Sequence, residues 1–330
     1  MSESDNLAYQ SLQPDQILDC VEHLGYQADG RLLALNSYEN RVYQVGIEGQ
    51  PPLIAKFYRP GRWSDAAILE EHGFAWEMQA ADIPLVGPLK IGGETLHHID
   101  AFRFALYPQR GGRWPELDDE DLLQQIGRLV ARMHSVGETG SFQHRPTLDS
   151  ESFGYASMES ILDAGVLPHE LIDAYESLAE DLLESIDERI DNSGTYQIIR
   201  LHGDLHPSNL LARGETVHIV DLDDARSGPS VQDIWMFLSG SRNDQSRQLD
   251  VLLQGYSEFR RFSTVELQLI EPLRTLRIMH YAAWLTRRYS DPAFQQAFPW
   301  FKEIRYWEEH ILSLREQLAL LEEPPLEWLG

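Results

Sequence analysis

The side chains best suited to chemistry gather between Leu201 and Asp224, in the run LHGDLHPSNLLARGETVHIVDLDD. Asp204, Asn209 and Asp221 come in that order, and Asp221 closes the apolar run Val217, Ile219 and Val220. A carboxylate, an amide and then a carboxylate at a strand end is the set that phosphoryl transfer from Mg-ATP requires. The first carboxylate orients the acceptor hydroxyl, while the amide oxygen and the second carboxylate hold the metal. Mg2+ prefers oxygen ligands and keeps several waters, so a few side-chain oxygens suffice. A His-, Asp- and Asn-rich loop also makes ordinary turns, but turn chemistry does not require three such roles in this order. Asp204 is therefore assigned as the catalytic carboxylate, with Asn209 and Asp221 as metal ligands and Asp221 catalytic through the metal. Asp223 and Asp224 follow as extra carboxylates, either on the metal or beside it.

The order His-x-Asp-x-x-x-x-Asn, then a strand ending in Asp, resembles the catalytic loop and metal-binding Asp of protein kinases. Gly203 stands where those enzymes carry Arg, and Asp221-Leu222-Asp223 replaces their Asp-Phe-Gly. Both departures are similar to the aminoglycoside phosphotransferase-like branch of that fold.

Elements upstream must bring the phosphates to this loop. Arg31 to Leu35, Arg41 to Ile47 and Leu53 to Tyr58 read as strands. The turn Asn36-Ser37-Tyr38-Glu39-Asn40 joins the first two, in the position of a phosphate-covering loop but without its glycines. Ser37 and Asn40 offer hydroxyl, amide and backbone N–H donors to phosphate oxygens. Read locally, an Asn/Ser hairpin turn fits equally well, and the lysine that follows decides for the phosphate loop. Lys56 lies in the apolar strand Leu53-Ile54-Ala55-Lys56-Phe57, where a buried ammonium is costly unless paired. Reaching ATP phosphates and a helix glutamate solves that problem. The helix is predicted over 64–80, with Ser64 as N-cap and Asp65 in its first turn. Glu71 is the favoured partner, with Glu70 close behind and Glu77 also a candidate.

Phe102 to Tyr107 is a further strand, leading past Pro108 to Gly111-Gly112, a joint where a lobe boundary is placed. Leu106 and Tyr107 would neighbour the adenine there. Beyond it the pattern turns helical: Glu120 to His134, Leu171 to Ile190, Leu267 to Leu285, and a last helix marked by Ile304, Trp307, Ile311, Leu314, Leu318 and Leu321. Ile198 to Leu201 is a short strand that delivers the catalytic loop. The expected fold class is α+β and two-lobed, kinase-like, with a small β-rich N-terminal lobe (1–108) for ATP phosphates. A larger, mostly helical C-terminal lobe (109–330) carries the catalytic loop, metal site and acceptor. By analogy with kinase-like folds, Asp233 holds the catalytic-loop backbone and His134 packs beneath it as a structural histidine. Arg274, Arg277, Arg287 and Arg288 either guide an acidic acceptor or pair with local glutamates, and pairing is favoured. His144-Arg145-Pro146 falls in a loop without assignment.

Composition narrows the partners. The 330 residues are 42% hydrophobic and 24% charged, ordinary globular values, and long enough for two lobes. A net charge of −26 repels nucleic acid and anionic lipid, so neither is expected as a partner. It also repels ATP at long range, so local cations and Mg2+ must offset the field. The one cysteine, Cys20, permits no internal disulfide and reads as a packed core thiol. The first sixteen residues lack a basic and then apolar leader, and no run of about 18 apolar residues exists, so no membrane span is expected. A cytoplasmic monomer is the expectation.

The segments LNSYENRVYQV, IAKFYRPGRW, LHGDLHPSNLL, VDLDDARSGPSVQDIWM, EPLRTLR and LLEEPPLEW together resemble the bacterial stress response kinase A family, over nearly the whole chain. That resemblance implies an ATP-dependent serine/threonine protein kinase with Mg2+, autophosphorylation and a role in stress survival. It implies Asp204 as base, Asn209 and Asp221 on the metal, and Ser37 at the ATP phosphates. Protein acceptors rest on the resemblance alone. Two other readings share the fold: a kinase of small hydroxyl compounds such as an amino alcohol, and a non-catalytic nucleotide-binding module. The intact Lys56, Asp204, Asn209 and Asp221 argue against the latter.

Overall fold

Ile17, Cys20 and Val21 fall on one face of helix α1 (Pro14–His23) and are buried against a sheet. The structure is a computed structural model in which Tyr9, residues 12–328 and Gly330 are described. Most of the stretch read as leaderless, residues 1–8, 10 and 11, lies outside the described residues. Burial pushes the Cys20 thiol up to about 12, as suits the packed core thiol expected.

The chain divides into two compact units. The first comprises Met1–Glu116, Ser135–Pro146 and Asp204–Ala225. The second comprises Leu117–His134, Thr147–Gly203 and Arg226–Gly330. We retain 1–108 and 109–330 as a proposal about lobes in chain order. Compactness groups residues 204–225 with the N-terminal sheet, because the partners of that segment are there.

The first unit is built on five antiparallel strands: β1 (Ala28–Leu35), β2 (Arg41–Ile47), β3 (Gln50–Phe57), β4 (His97–Ile99) and β5 (Phe102–Pro108), in the order β1-β2-β3-β5-β4. The short β4 was not legible in the sequence. Because side chains alternate along a strand, β3 serves two surfaces. Leu53, Ala55 and Phe57 join Val45, Phe104 and Leu106 in the core beneath α1. Ile54 and Lys56 face the other way, with Val42 opposite Lys56 and Gln44 opposite Ile54. Helix α2 (Asp65–Ala80) buries Ile68, Phe74, Ala75 and Met78. The Ser64 hydroxyl caps it by accepting from the Ala67 N–H at 3.2 Å, as the sequence predicts.

The second unit is largely helical. It contains α3 (Glu120–Gly137) up to His134, then α4 (Ile172–Asn192), α5 (Arg242–Ser257), α6 (Ile270–Arg288) and α7 (Ile304–Glu322). The periodic residues expected inside α4, Tyr175, Leu178, Leu182 and Ile186, are buried. In α6 the favoured pairing holds for Arg274, whose guanidinium lies 3.6 Å from Glu271. No helix among the described residues is long and apolar enough to cross a membrane.

Candidate active site

One face of β2, β3 and β5 walls a cavity of about 470 Å3 within the first unit. Ser37, Lys56, Glu71, Tyr107 and Asp221 all line it. Four residues chosen from sequence as nucleotide or metal contacts thus converge on one space. Gly112 lies at its rim, where a Cβ would come within 2.8 Å of Leu211. The glycine expected as a flexible joint is therefore required by a close approach, held by reciprocal backbone hydrogen bonds between Arg113 and Ala212.

Lys56 is buried with three carboxylates around its ammonium: Asp221 Oδ1 at 3.0 Å, Asp223 Oδ1 at 3.0 Å and Glu71 Oε1 at 3.8 Å. Burial alone would discharge the amine, but Asp221, Asp223 and Glu71 outweigh it and hold its pKa well above the ordinary range. The predicted Glu71 is the helix partner. Glu70 points elsewhere, accepting the backbone N–H groups of Gln143, His144 and Arg145 at 2.7, 2.8 and 3.0 Å. Glu77 does not line the cavity.

Two arginines complete the cluster, and sequence reasoning assigned neither. Arg145, in the loop left unassigned, is buried over the Trp63 ring and donates to Glu71 Oε2 at 2.6 Å. It also donates to the carbonyls of Ala67 at 2.8 Å and Asp223 at 2.6 Å. Arg62 grips the Asp223 carboxylate and donates to Asp224 at 2.9 Å. Arg62 and Lys56 hold the Asp223 carboxyl below the usual carboxylate range against the effect of burial. Asp223 is thus an internal counter-ion to Lys56 and Arg62. The sequence signal for these cations was their rarity: 27 lysines and arginines against 53 acids.

Asp221 stands in the left-handed region, φ 61° and ψ 71°, with 55% of its side chain exposed. The next residue back, Val220, donates its N–H to the Asn209 carbonyl at 3.0 Å, which ties the two candidate ligands together through the backbone. Asn209 Nδ2 donates to the Asp204 carbonyl at 2.9 Å, leaving the amide oxygen as the acceptor end. Among the described residues no three His, Cys, Asp or Glu side chains group to hold a metal ion. One accessible carboxylate and one amide oxygen nevertheless fit an ion that keeps most of its own water. Asp204 and Asn209 do not themselves line the cavity. The Asp204 side chain is 24% exposed, with His206 Nε2 at 3.4 Å.

The residues that lead into Asp204 are fixed within the second unit. Asp233 Oδ2 accepts the His202 N–H and Oδ1 accepts the Gly203 N–H, both at 2.9 Å. Buried His134 lies 3.3 Å from the same carboxylate and 3.0 Å from the Tyr256 hydroxyl. Both supporting roles expected for Asp233 and His134 are seen in this geometry. Gly203 sits at φ +83°, so a side chain there would be strained, which accounts for the missing arginine. Asp233→Ala would leave two buried N–H groups without an acceptor. It should lower unfolding stability by about 3 kcal/mol, measured by chemical denaturation.

Glu266 supports the same segment by accepting the Val231 N–H at 2.9 Å. Burial pushes its carboxyl up to about 7. A raised folded-state pKa gives stability that is complete below the unfolded value, near 4.5, and is lost as pH rises through about 7. Glu266→Gln keeps an acceptor oxygen without the titration. Denaturation curves should therefore coincide near pH 5 and separate at pH 8 in favour of the variant, by roughly 2 kcal/mol.

The chain has relatives among known proteins. The profile of the phosphotransferase enzyme family matches residues 31–267. The chain is 41% identical over 319 residues to a protein named stress response kinase A from Escherichia coli (strain K12), covering 97% of this chain and 96% of that one. It is 39% identical over 327 residues to the serine/threonine protein kinase RdoA of Salmonella typhimurium, covering 98% of each. Among solved structures, the amicoumacin kinase hAmiN in complex with AMP-PNP, Ca2+ and Ami superposes with a TM-score of 0.75 at 17% identity, covering 100% and 98% of the two chains. A microcompartment-associated aminopropanol kinase gives 0.65 at 18% identity, covering 92% and 95%. These two likenesses concern the fold, and they agree with the α+β, kinase-like class expected.

Proposed function

Since the chain belongs to the phosphotransferase enzyme family, we propose that it is a serine/threonine protein kinase that uses Mg-ATP, modifies itself as well as other proteins, and serves in stress response. The observation that carries the Mg-ATP part is the buried Lys56 ammonium, set between Glu71 and Asp221 on a cavity also lined by Ser37; the protein acceptor and the stress role rest on the likeness to the named kinases. An ammonium kept charged and aimed into a cavity suits a triphosphate, and the opposing carboxylate suits the metal that accompanies it.

In this reading Lys56 holds the phosphates, and Ser37 with the 36–40 turn covers them. Asn209 and Asp221 would hold Mg2+, which would supply charge neutralisation at the phosphates. Asp204 orients the acceptor hydroxyl and takes its proton late in the transfer, so the carboxylate needs no raised pKa. Near-attack placement then supplies most of the acceleration. The single, buried cysteine supports a reducing compartment, the cytoplasm.

The acceptor class is tested by incubating the purified protein with Mg-[γ-32P]ATP in the presence of a protein extract and, separately, a panel of amino alcohols and hydroxy amino acids. Label on serine and threonine of proteins, including the enzyme itself, is expected. Label confined to the small compounds would replace the protein-kinase reading with that of a metabolite kinase.

A further inference from the structure

The segments Ser37-Tyr38-Glu39-Asn40 and Phe57-Tyr58-Arg59-Pro60-Gly61-Arg62 are prominent in the sequence, yet the transfer chemistry gives no role to the Glu39, Arg59 and Arg62 side chains. In the first unit they meet. Arg59 donates from Nε to the Glu39 carbonyl at 2.9 Å and from Nη2 to the Tyr38 carbonyl at 3.2 Å. Its own N–H donates to Asn40 Oδ1 at 3.1 Å. Arg62 Nη1 lies 3.4 Å from Glu39 Oε2 while the same guanidinium grips Asp223 and Asp224. The Tyr9 hydroxyl donates to the Glu39 carbonyl at 3.3 Å, and its ring lies under Arg59. The Arg62 and Glu39 side chains are only 13% and 14% exposed, so water screens this contact weakly.

We propose that Glu39, Arg59 and Arg62 form an ionic latch that fixes the 36–40 turn over the phosphate site and ties it to the Asp221–Asp224 segment. A glycine-rich loop closes over phosphates by backbone freedom and can open the same way. This turn has no glycine, and its Tyr38 and Glu39 carbonyls are held from outside by the Arg59 guanidinium. Arg62 bridges the loop to Asp223, which itself contacts Lys56 at 3.0 Å, so the cover, the phosphate-binding lysine and the candidate metal segment share one charge network. Glu39 and Arg62 are then positioning residues for the nucleotide, and the contacts of the Glu39 carboxylate with Arg62 at 3.4 Å and Arg59 at 3.8 Å are the ones that must part for nucleotide to leave. This assignment rests on the nucleotide site proposed above.

Glu39→Gln is the selective test, because Arg62 keeps Asp223 and Asp224 and the fold is preserved. Two readouts are used. The first is the dissociation rate of a fluorescent N-methylanthraniloyl-ATP in Mg2+, by stopped flow. The second is amide hydrogen exchange of peptides spanning 36–41 in the nucleotide-free protein. Loss of a charge-assisted contact should raise both by about tenfold, with Glu39→Asp restoring much of the difference and the melting temperature barely moving. Unchanged exchange in Glu39→Gln overturns the latch, as does unchanged dissociation where the wild type binds the probe. A wild type that binds no nucleotide overturns the function reading instead, and the exchange measurement alone then decides the latch.

Discussion

Asp204→Asn is expected to lower the turnover number for phosphoryl transfer by about a thousandfold while leaving the nucleotide dissociation constant within about twofold of wild type. The two effects separate because the carboxylate and the nucleotide contacts are different groups. In the proposed mechanism Asp204, its side chain 24% exposed, serves the acceptor, whereas Lys56, Glu71 and Ser37 line the cavity. The loop should survive the change. Asn209 Nδ2 bonds to the backbone carbonyl of residue 204, not to its side chain. The preceding N–H groups of His202 and Gly203 are held by Asp233. An amide of the same shape fits the same space, while losing the negative charge and the ability to accept a proton. Steady-state transfer and equilibrium binding of the same nucleotide, measured side by side, check this. Loss of binding in parallel with turnover would assign Asp204 a structural role, and an active variant would remove it from the chemistry.

Lys56→Met is expected to lower transfer by about a hundredfold or more, through loss of the phosphate contact, and to weaken the fold as well. Removing the ammonium leaves Glu71, Asp221 and Asp223 facing one another, but two guanidiniums remain. Arg145 still holds Glu71 at 2.6 Å, and Arg62 still holds Asp223. The destabilisation should therefore fall below the 3–5 kcal/mol usual for a broken buried pair, at about 2 kcal/mol. Its pH dependence has a definite sign. Burial already raises the Glu71 pKa, with Lys56 and Arg145 lowering it. Without Lys56 it rises further. A carboxyl with a raised folded-state pKa contributes stability at low pH that is lost as pH increases. The variant should accordingly be closer to wild type in unfolding stability at pH 5 than at pH 8. Equal deficits at both values would show that Glu71 does not carry the uncompensated charge.

Much of the site could be read from order and spacing. The strands around Lys56 and the capped helix carrying Glu71 follow from local patterns, because alternation, capping and helical periodicity are short-range properties of a chain; the supporting Asp233 rests on analogy with kinase-like folds. The candidate base and metal ligands are legible for the same reason, all lying within the segment Asp204 to Asp221. What the sequence could not display are contacts between residues far apart along the chain. Arg145 and Glu71, or Arg62 and Asp223, are separated by 74 and 161 positions. No periodicity marks such pairs, and a charged residue in a loop looks the same whether solvated or buried. The choice of Glu71 over Glu70 is of this kind, since neighbouring residues on a helix differ by about 100° and only the packing of α2 decides which one reaches Lys56. The amino-acid order by itself thus determined which chemistry the chain is equipped for and which elements carry it. The tertiary structure decided how five carboxylates (Glu39, Glu71, Asp221, Asp223 and Asp224) share four cations (Lys56, Arg59, Arg62 and Arg145) in one network, because Coulomb energy depends on distance in space and not on separation along the chain.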